Sequence, residues 1–155
     1  MARQEQEVNR VRIQFALDPA DGQGVLTESL WAEPVEASQY RILSIPFFVF
    51  GISADDFVIT TEKADGLEFD KISQRGGHST YRVFLQEKLT VYSPMFEGRW
   101  RKIATLGAKY ENANDRFIAV DVPPESDIKA IYQLFEDGER EGVWLFEEAN
   151  YEEAR

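Results

Sequence analysis

The 155-residue sequence contains no cysteine and a single histidine, His78. The lack of cysteine excludes disulfides, thiolate metal ligands and a cysteine nucleophile, and it is compatible with a reducing compartment. With one histidine and no thiolate, an ordinary structural zinc site is excluded too. No apolar run approaches the length of a membrane span, and the polar start lacks the apolar segment of a signal peptide. We therefore expect a cytoplasmic protein with frayed termini and no membrane contact.

Basic residues are scarce: 17 Lys and Arg against 28 Asp and Glu give a net charge of -11. Residues 1–70 contain 13 acidic and 5 basic side chains, residues 71–110 contain 2 and 8, and residues 111–155 contain 13 and 4. The acidic balance argues against general binding of nucleic acid or anionic membranes, and it suits a basic partner. The alternative is that the acidic ends and the basic middle pair with each other across the surface.

The first half of the chain has the pattern of β-strands. Apolar and polar residues alternate over residues 10–17 with the period of a half-buried strand. A more apolar segment, residues 40–51, is interrupted by Pro46, which favours two short strands, a bulge or an edge. Asp65 and the glycine after it predict a hairpin turn. We predict a bent antiparallel sheet or partial barrel over about residues 8–75.

The second half alternates strands with helices. A Ser-Pro pair predicts the start of the first helix. Pro123 predicts the start of the second helix, and Gly138 or Gly142 predicts its end. The order β-α-β-α-β over about residues 76–148 predicts a ferredoxin-like arrangement with both helices on one face. The fold class is therefore α+β, and residues 1–155 are expected to form a single compact domain.

The only histidine lies in "RGGHSTYRVFL", residues 75–85. A glycine pair permits positive φ angles and can direct successive N–H groups at an anion. His78 is the one candidate for proton transfer near neutral pH. The alternative is that the glycines form a turn into a strand and the polar residues satisfy nearby backbone groups. The candidate ligand-binding residues are Arg75, Gly76, Gly77, His78, Ser79, Thr80 and Arg82.

No catalytic constellation is visible around this histidine. Ser79 follows it directly, and neighbours on a strand point to opposite faces. A Gly-x-Ser-x-Gly motif is absent from the sequence. Three carboxylate pairs lack the spacing of a calcium loop, so we predict no metal and no cofactor. These pairs are Asp55-Asp56, Glu147-Glu148 and Glu152-Glu153.

Six segments together resemble a bacterial family known as domain of unknown function 4265. They are "LWAEPV", "YRILSIPFFVFGISADD", "GGHSTYRVFL", "IATLGAKYE", "AVDVPPE" and "GVWLFEE", in the family's order over roughly residues 25–150. The resemblance implies a small, soluble bacterial protein and supplies no reaction. The family often has a serine at the position of Gly76 and a cysteine at that of Ala108, so it implies no nucleophile at either position in this chain.

The leading hypothesis is a non-enzymatic, acidic bacterial protein that recognises a protein partner, such as a toxin-neutralising immunity protein. A nucleic-acid partner is disfavoured by the net charge, and Trp100 fits the apolar stripe of the first predicted helix better than a base-stacking role. The competing hypothesis is a small-anion or phosphoryl-binding domain, with or without enzymatic activity, centred on Arg75, His78 and Arg82. The candidate partner-surface residues are Asp55, Asp56, Glu147, Glu148, Glu152 and Glu153.

Overall fold

The computed structural model describes residues 9–20, 24 and 26–152. In chain order the elements are β1 (Val11–Ala16), β2 (Thr27–Glu36), β3 (Gln39–Ile42), β4 (Phe57–Lys63), β5 (Gly66–Gln74), β6 (Ser79–Leu85), α1 (Pro94–Thr105), β7 (Lys109–Asn112), β8 (Phe117–Val122), α2 (Ile128–Arg140) and β9 (Trp144–Asn150). The architecture is α+β with two sheets and two helices, as the sequence predicts. Neither of the helices in these residues has the length and apolar character needed to cross a membrane.

The five strands of the first half form a closed barrel in chain order. Successive strands are antiparallel, and β1 closes the ring by pairing in parallel with β5. Ile13 and Phe15 of β1 are buried in the barrel core, where Phe15 stacks on Phe69 with ring centroids 4.8 Å apart. Because side chains of a strand alternate between its faces, the period-two pattern of this segment identifies the inward face. The expected bent sheet or partial barrel is thus fully closed.

Strand β2 accommodates a proline close to its end. It runs through Pro34 to Glu36, and its pairing with β3 shifts register between these two residues. A proline cannot donate to the ladder, so a bulge is the usual way to accommodate it inside a strand. The proline therefore bends the strand without ending it.

The second sheet has four antiparallel strands in the order β7-β8-β6-β9. One core cluster combines residues of α1, α2 and three of the strands, so both helices cover the same face. The element order is β-α-β-β-α-β, with one strand more than the sequence predicts. The additional strand, β7, lies shortly after the end of α1. A four-residue strand directly after a helix leaves little periodic signal.

The two helices differ in how well their limits follow the sequence pattern. Helix α1 begins at Pro94, as predicted. Helix α2 begins at Ile128 and not at Pro123, because the side chain of Asp127 caps it by accepting from the N–H of Ala130 at 3.1 Å. Of the two glycines predicted to end this helix, Gly138 lies inside it, whereas Gly142, with a φ of 76°, follows the C-cap residue Glu141 as predicted.

The chain between β3 and β4, residues 43–56, covers the face of β6 opposite the helices; we call it the β3–β4 loop. Tyr81 and Val83 of β6 belong to the helix-covered core. Arg82, on the other face, is almost completely buried, and its Nη2 donates to the carbonyl oxygen of Val49 at 2.6 Å. Its guanidinium also lies 4.3 Å from the ring centroid of Phe50. Strand β6 is therefore buried on both faces, by helices on one side and by this loop on the other.

A carboxylate of the barrel replaces the strand partners that this apolar loop lacks. Glu28 of β2 accepts from the N–H groups of Phe47, Phe48 and Val49 at 2.7, 3.0 and 2.9 Å. Buried backbone donors require partners, and here one side chain supplies three. The sequence predicts two short strands, a bulge or an edge in this segment, but the structure has an irregular loop after β3 because Pro46 and the Glu28 contacts favour that conformation.

The two helical glycines, Gly98 and Gly138, provide a matched test of the packing. A Cβ at Gly98 of α1 would meet no atom within 4 Å, whereas one at Gly138 of α2 would lie 2.3 Å from the Trp144 ring. Gly98→Ala should stabilise the protein by about 0.5–1 kcal/mol through helix propensity. Gly138→Ala should destabilise it by about 1–3 kcal/mol through overpacking. Urea unfolding of both variants measures these changes, and equal effects would contradict the packing of α2 on β9.

Candidate functional site

A cleft of about 480 Å³ lies where the barrel meets the chain segment between β5 and β6. We call it the junction cleft. Two guanidinium groups, one carboxylate, one amide, two apolar rings and a glycine pair line it: Arg41, Arg75, Asp55, Gln74, Phe57, Pro124, Gly76 and Gly77. Three of the predicted ligand-binding residues, Arg75, Gly76 and Gly77, therefore lie at one cavity.

Both glycines of the pair are required by the backbone. A Cβ at Gly76 would lie 2.3 Å from the carbonyl oxygen of Asp55. Gly77 has a φ of 89° and approaches Pro124 so closely that a Cβ would lie 3.2 Å from that ring. The N–H of Gly76 donates to Asp56 at 2.9 Å, so it serves the protein and not a ligand. The turn interpretation thus accounts for both glycines.

Asp56 is a fully buried carboxylate that joins three chain segments. Its oxygens accept from the N–H groups of Ser53 and Gly76, each at 2.9 Å. Arg75 Nη1 lies 3.2 Å from Asp56 Oδ2 and also donates to the carbonyl oxygen of Gly51. A buried charge is tolerated when it is paired and hydrogen-bonded in this way. Asp56 therefore holds the β3–β4 loop against the segment that contains the glycine pair.

His78 lies between two carboxylates and has 15% of its side chain exposed. Its Nδ1 is 2.9 and 3.0 Å from the two carboxylate oxygens of Asp121 on β8, and its Nε2 is 3.0 Å from Asp55 Oδ2. The hydrogen bond with Asp121 raises the pKa of His78 against the effect of burial, and the charges of Asp121, Asp55 and Glu125 raise it further. A protonated imidazole donates from both nitrogens, so His78 connects the β3–β4 loop to the second sheet.

The remaining predicted ligand-binding residues lie away from the junction cleft. Ser79 Oγ accepts from the N–H of Glu152 at 2.8 Å, and Thr80 Oγ1 is hydrogen-bonded to Ser53 Oγ. Arg82 is buried under the β3–β4 loop. Since both nitrogens of His78 face carboxylates, the histidine is not paired with a hydroxyl nucleophile. The residues that the structure describes bring together a cleft and a charged network, but they do not assemble a catalytic triad around His78.

Most of the acids predicted to form a partner surface have partners within the chain. Asp55 contacts His78, Asp56 contacts Arg75, Glu147 lies 3.6 Å from Arg82, Glu148 accepts from the Tyr81 hydroxyl at 3.0 Å, and Glu152 lies 4.0 Å from Arg75. Because Asp56 is fully buried, it is not part of any surface. Glu153 lies outside the described residues. Within the described part of the chain, no group of three or more His, Asp and Glu side chains is arranged to hold a metal ion.

Two important residues of the site, Arg41 and Asp121, were missed from the sequence. Asp121 stands in the run "FIAVDV", where every residue is buried. A charged residue in such a strand requires a partner, so the position of Asp121 in an otherwise apolar run could have identified it as a site residue. Arg41 of β3 pairs with Glu33 and Asp55. Nothing in the sequence near Arg41 links it to residues 75–78, because the pairing of β3 with β4 and of β4 with β5 brings them together.

Comparisons with known proteins give a fold and a family. The chain is similar to a crystal structure of a hypothetical protein from Neisseria gonorrhoeae, with a TM-score of 0.75 over 93% of this chain and 95% of that chain. The two sequences are 16% identical, so this likeness concerns the fold alone. The family model described as "Domain of unknown function (DUF4265)" matches residues 28–146. No curated protein matches the sequence.

The raised pKa of His78 predicts a pH-dependent contribution to stability. Because the pKa is higher in the folded state, the contribution is complete below the unfolded value of about 6.5 and is lost as pH rises through the folded pKa. Wild type should therefore exceed His78→Gln in free energy of unfolding by the largest margin in mild acid. The margin should shrink toward alkaline pH. Urea unfolding of both proteins across this range is the measurement, and a margin that grows with pH would contradict the His78 geometry.

Proposed function

The chain belongs to the family described as domain of unknown function (DUF4265), and from that premise we propose that it is a small-ligand-binding protein. Its ligand occupies the junction cleft and carries one anionic group. The observation that supports this proposal is the presence of two guanidinium groups, Arg41 and Arg75, at the same cavity. They come from different segments, the barrel strand β3 and the connection to β6.

Both arginines are positioned before any ligand arrives. Arg41 is held by Glu33 and Asp55, and Arg75 is held by Asp56 and the Gly51 carbonyl. Their side chains remain 33% and 39% exposed. The bonds of Arg75 to Asp56 and to Gly51 both use Nη1, so neither bond occupies the donors of Nη2. Fixed guanidinium groups lose little entropy on binding a carboxylate or phosphate, which favours such ligands.

The rest of the lining favours a small molecule with an apolar part. Phe57 and Pro124 present rings, and Gln74 adds an amide that can donate or accept. A volume of about 480 Å³ falls in the range of small-molecule sites, which combine apolar walls with a few polar groups. The walls therefore suit one ring or short chain beside the anionic group.

The acids around the cleft limit how much negative charge the ligand carries. Asp55 lines the cleft itself, and Asp56 and Glu33 lie behind the two arginines. The negative charges of these acids offset most of the attraction between the two guanidinium groups and an anionic ligand. We therefore expect the ligand to carry a single anionic group and not a polyphosphate. Protonated His78 offsets Asp55 in turn, and binding should therefore strengthen as pH falls through the raised pKa of His78.

Recognition of a basic protein partner, as in an immunity protein, is a second candidate supported by the net charge of -11. The acids that were predicted to form the partner surface support this candidate less, because most of them have partners within the chain.

A cytoplasmic location is supported by the cysteine-free composition.

We further propose that the second sheet and its helices are ferredoxin-like. The antiparallel strand order β7-β8-β6-β9 supports this, with α1 between β6 and β7 and α2 between β8 and β9.

Titration with benzoate tests the proposed function, because benzoate combines one carboxylate with a ring. Benzoate should shift the backbone amide signals of Gly76 and Gly77 in a saturable way, whereas the neutral analogue benzyl alcohol should not. Arg41→Gln should weaken benzoate binding about tenfold, the usual value of one charge-assisted hydrogen bond.

Arg101→Gln provides the matched control, since it makes the same charge change at an exposed position of α1. It should leave the benzoate affinity unchanged. The proposal is wrong if Arg41→Gln binds as wild type does, or if benzyl alcohol binds as tightly as benzoate.

A further inference from the structure

A second cavity, of about 260 Å³, lies between the first turns of α2 and the end of β9. We call it the tyrosine groove; it is lined by Ile128, Lys129, Tyr132, Glu148 and Tyr151. None of these residues lines the junction cleft. The volume is smaller than that of most drug-sized ligand sites, so it suits one head group and not an extended molecule.

Two exposed aromatic side chains form the walls of the groove. Tyr132 is 37% exposed and Tyr151 is 40% exposed. The ring of Tyr132 packs edge-to-face on Phe146, with centroids 5.4 Å apart, and on the buried ring of Tyr81 at 6.3 Å. These contacts fix the orientation of Tyr132. Aromatic faces carry negative partial charge, and they attract a cation that lies within about 6 Å of the ring centroid.

The polar group of the groove is a carboxylate fixed by a hydroxyl, and the described residues form no ion pair with it. Glu148 accepts from the Tyr81 hydroxyl at 3.0 Å. Burial and the charge of Glu148 raise the pKa of Tyr81, so this hydroxyl stays a donor. In the described part of the chain, no ion pair within 4.0 Å includes Glu148. The carboxylate is exposed, so its remaining acceptor positions are accessible from the groove.

The charges near the groove favour a cation over an anion. Glu136 follows Tyr132 by one helical turn and lies on the same side of α2. Lys129 precedes Tyr132 by nearly one turn and is the single basic residue of the lining. Two acids against one base, in a chain with a net charge of -11, give a local field that attracts positive charge.

We propose that the tyrosine groove binds the alkylammonium group of a small molecule, with Tyr132 and Tyr151 facing the cation and Glu148 neutralising its charge. Aromatic side chains combined with a carboxylate are the usual means of recognising such groups. The partly buried methylenes or methyls of the head group pack on Ile128 at the base of α2. The site is independent of the junction cleft and of the ligand proposed there.

Choline and its neutral isostere 3,3-dimethyl-1-butanol separate the contribution of the charge from that of shape. Choline should shift the backbone amide signals of residues 128–132 and 148–151 in a saturable way. The alcohol should bind at least about fivefold more weakly, in line with the measured range of cation–π contributions. Equal affinities for the two probes would overturn the proposal.

Three variants test the roles of individual side chains. Glu148→Gln keeps an oxygen that accepts from Tyr81 but removes the charge, and it should weaken choline binding at least fivefold. Tyr132→Leu keeps an apolar contact with Phe146 and should also weaken it. Lys129→Gln should strengthen choline binding about twofold, because it removes a like charge.

The sign of the Lys129→Gln effect distinguishes a cation site from an anion site, for which the same change would weaken binding. Glu62→Gln, an exposed acid on β4, is the matched control and should leave the choline affinity unchanged. Wild-type affinity in Glu148→Gln, or weaker choline binding in Lys129→Gln, would overturn the proposal. Unchanged thermal unfolding midpoints show that each variant is folded.

Discussion

The fold depends on two carboxylates that hold the β3–β4 loop near its middle and at its end. Glu28 of the barrel accepts from three consecutive N–H groups in the middle of the loop. Asp56 closes the end by accepting from Ser53, Gly76 and Arg75. An irregular apolar loop exposes many backbone groups that need partners, and carboxylates supply several acceptor positions each. The two carboxylates therefore fix the loop on the barrel side, where Arg82 can donate to the Val49 carbonyl and the Gly51 N–H can reach the Ala149 carbonyl of the second sheet.

The loop in turn determines how the two halves of the molecule meet. It buries the second face of β6, including Arg82, and its last residues bring Asp55 to His78 and Arg41. The junction cleft is the space left beside these contacts, so its arginines are positioned by the same network that joins the barrel to the sheet. The tyrosine groove shares no lining residue with the junction cleft, and its Glu148 is fixed by the hydroxyl of the buried Tyr81. The proposed anion site in the junction cleft and the proposed cation site in the tyrosine groove are therefore compatible with one acidic chain.

Local patterns in the sequence were sufficient for the elements that depend on local contacts. The alternation in β1, the hairpin at Asp65 and the start of α1 at Pro94 all follow from neighbouring residues. The β3–β4 loop could not be predicted, because its backbone partners are separated from it by about twenty residues in sequence. For the same reason, the sequence identified the glycine pair and His78 but not Arg41, which reaches the cleft only through the pairing of β3 with β4 and of β4 with β5.

Hydrogen exchange in wild type and Glu28→Gln tests most directly whether the carboxylates hold the two halves together. A glutamine has one acceptor oxygen where the carboxylate has two, so at least one of the three loop N–H groups loses its partner. The account predicts faster exchange at Phe47, Phe48 or Val49 and also at Gly51, whose N–H crosses to the Ala149 carbonyl at 2.8 Å. Exchange in α1 should change less. Unchanged exchange at Gly51, with loss of protection confined to residues 47–49, would contradict the claim that this loop joins the barrel to the sheet.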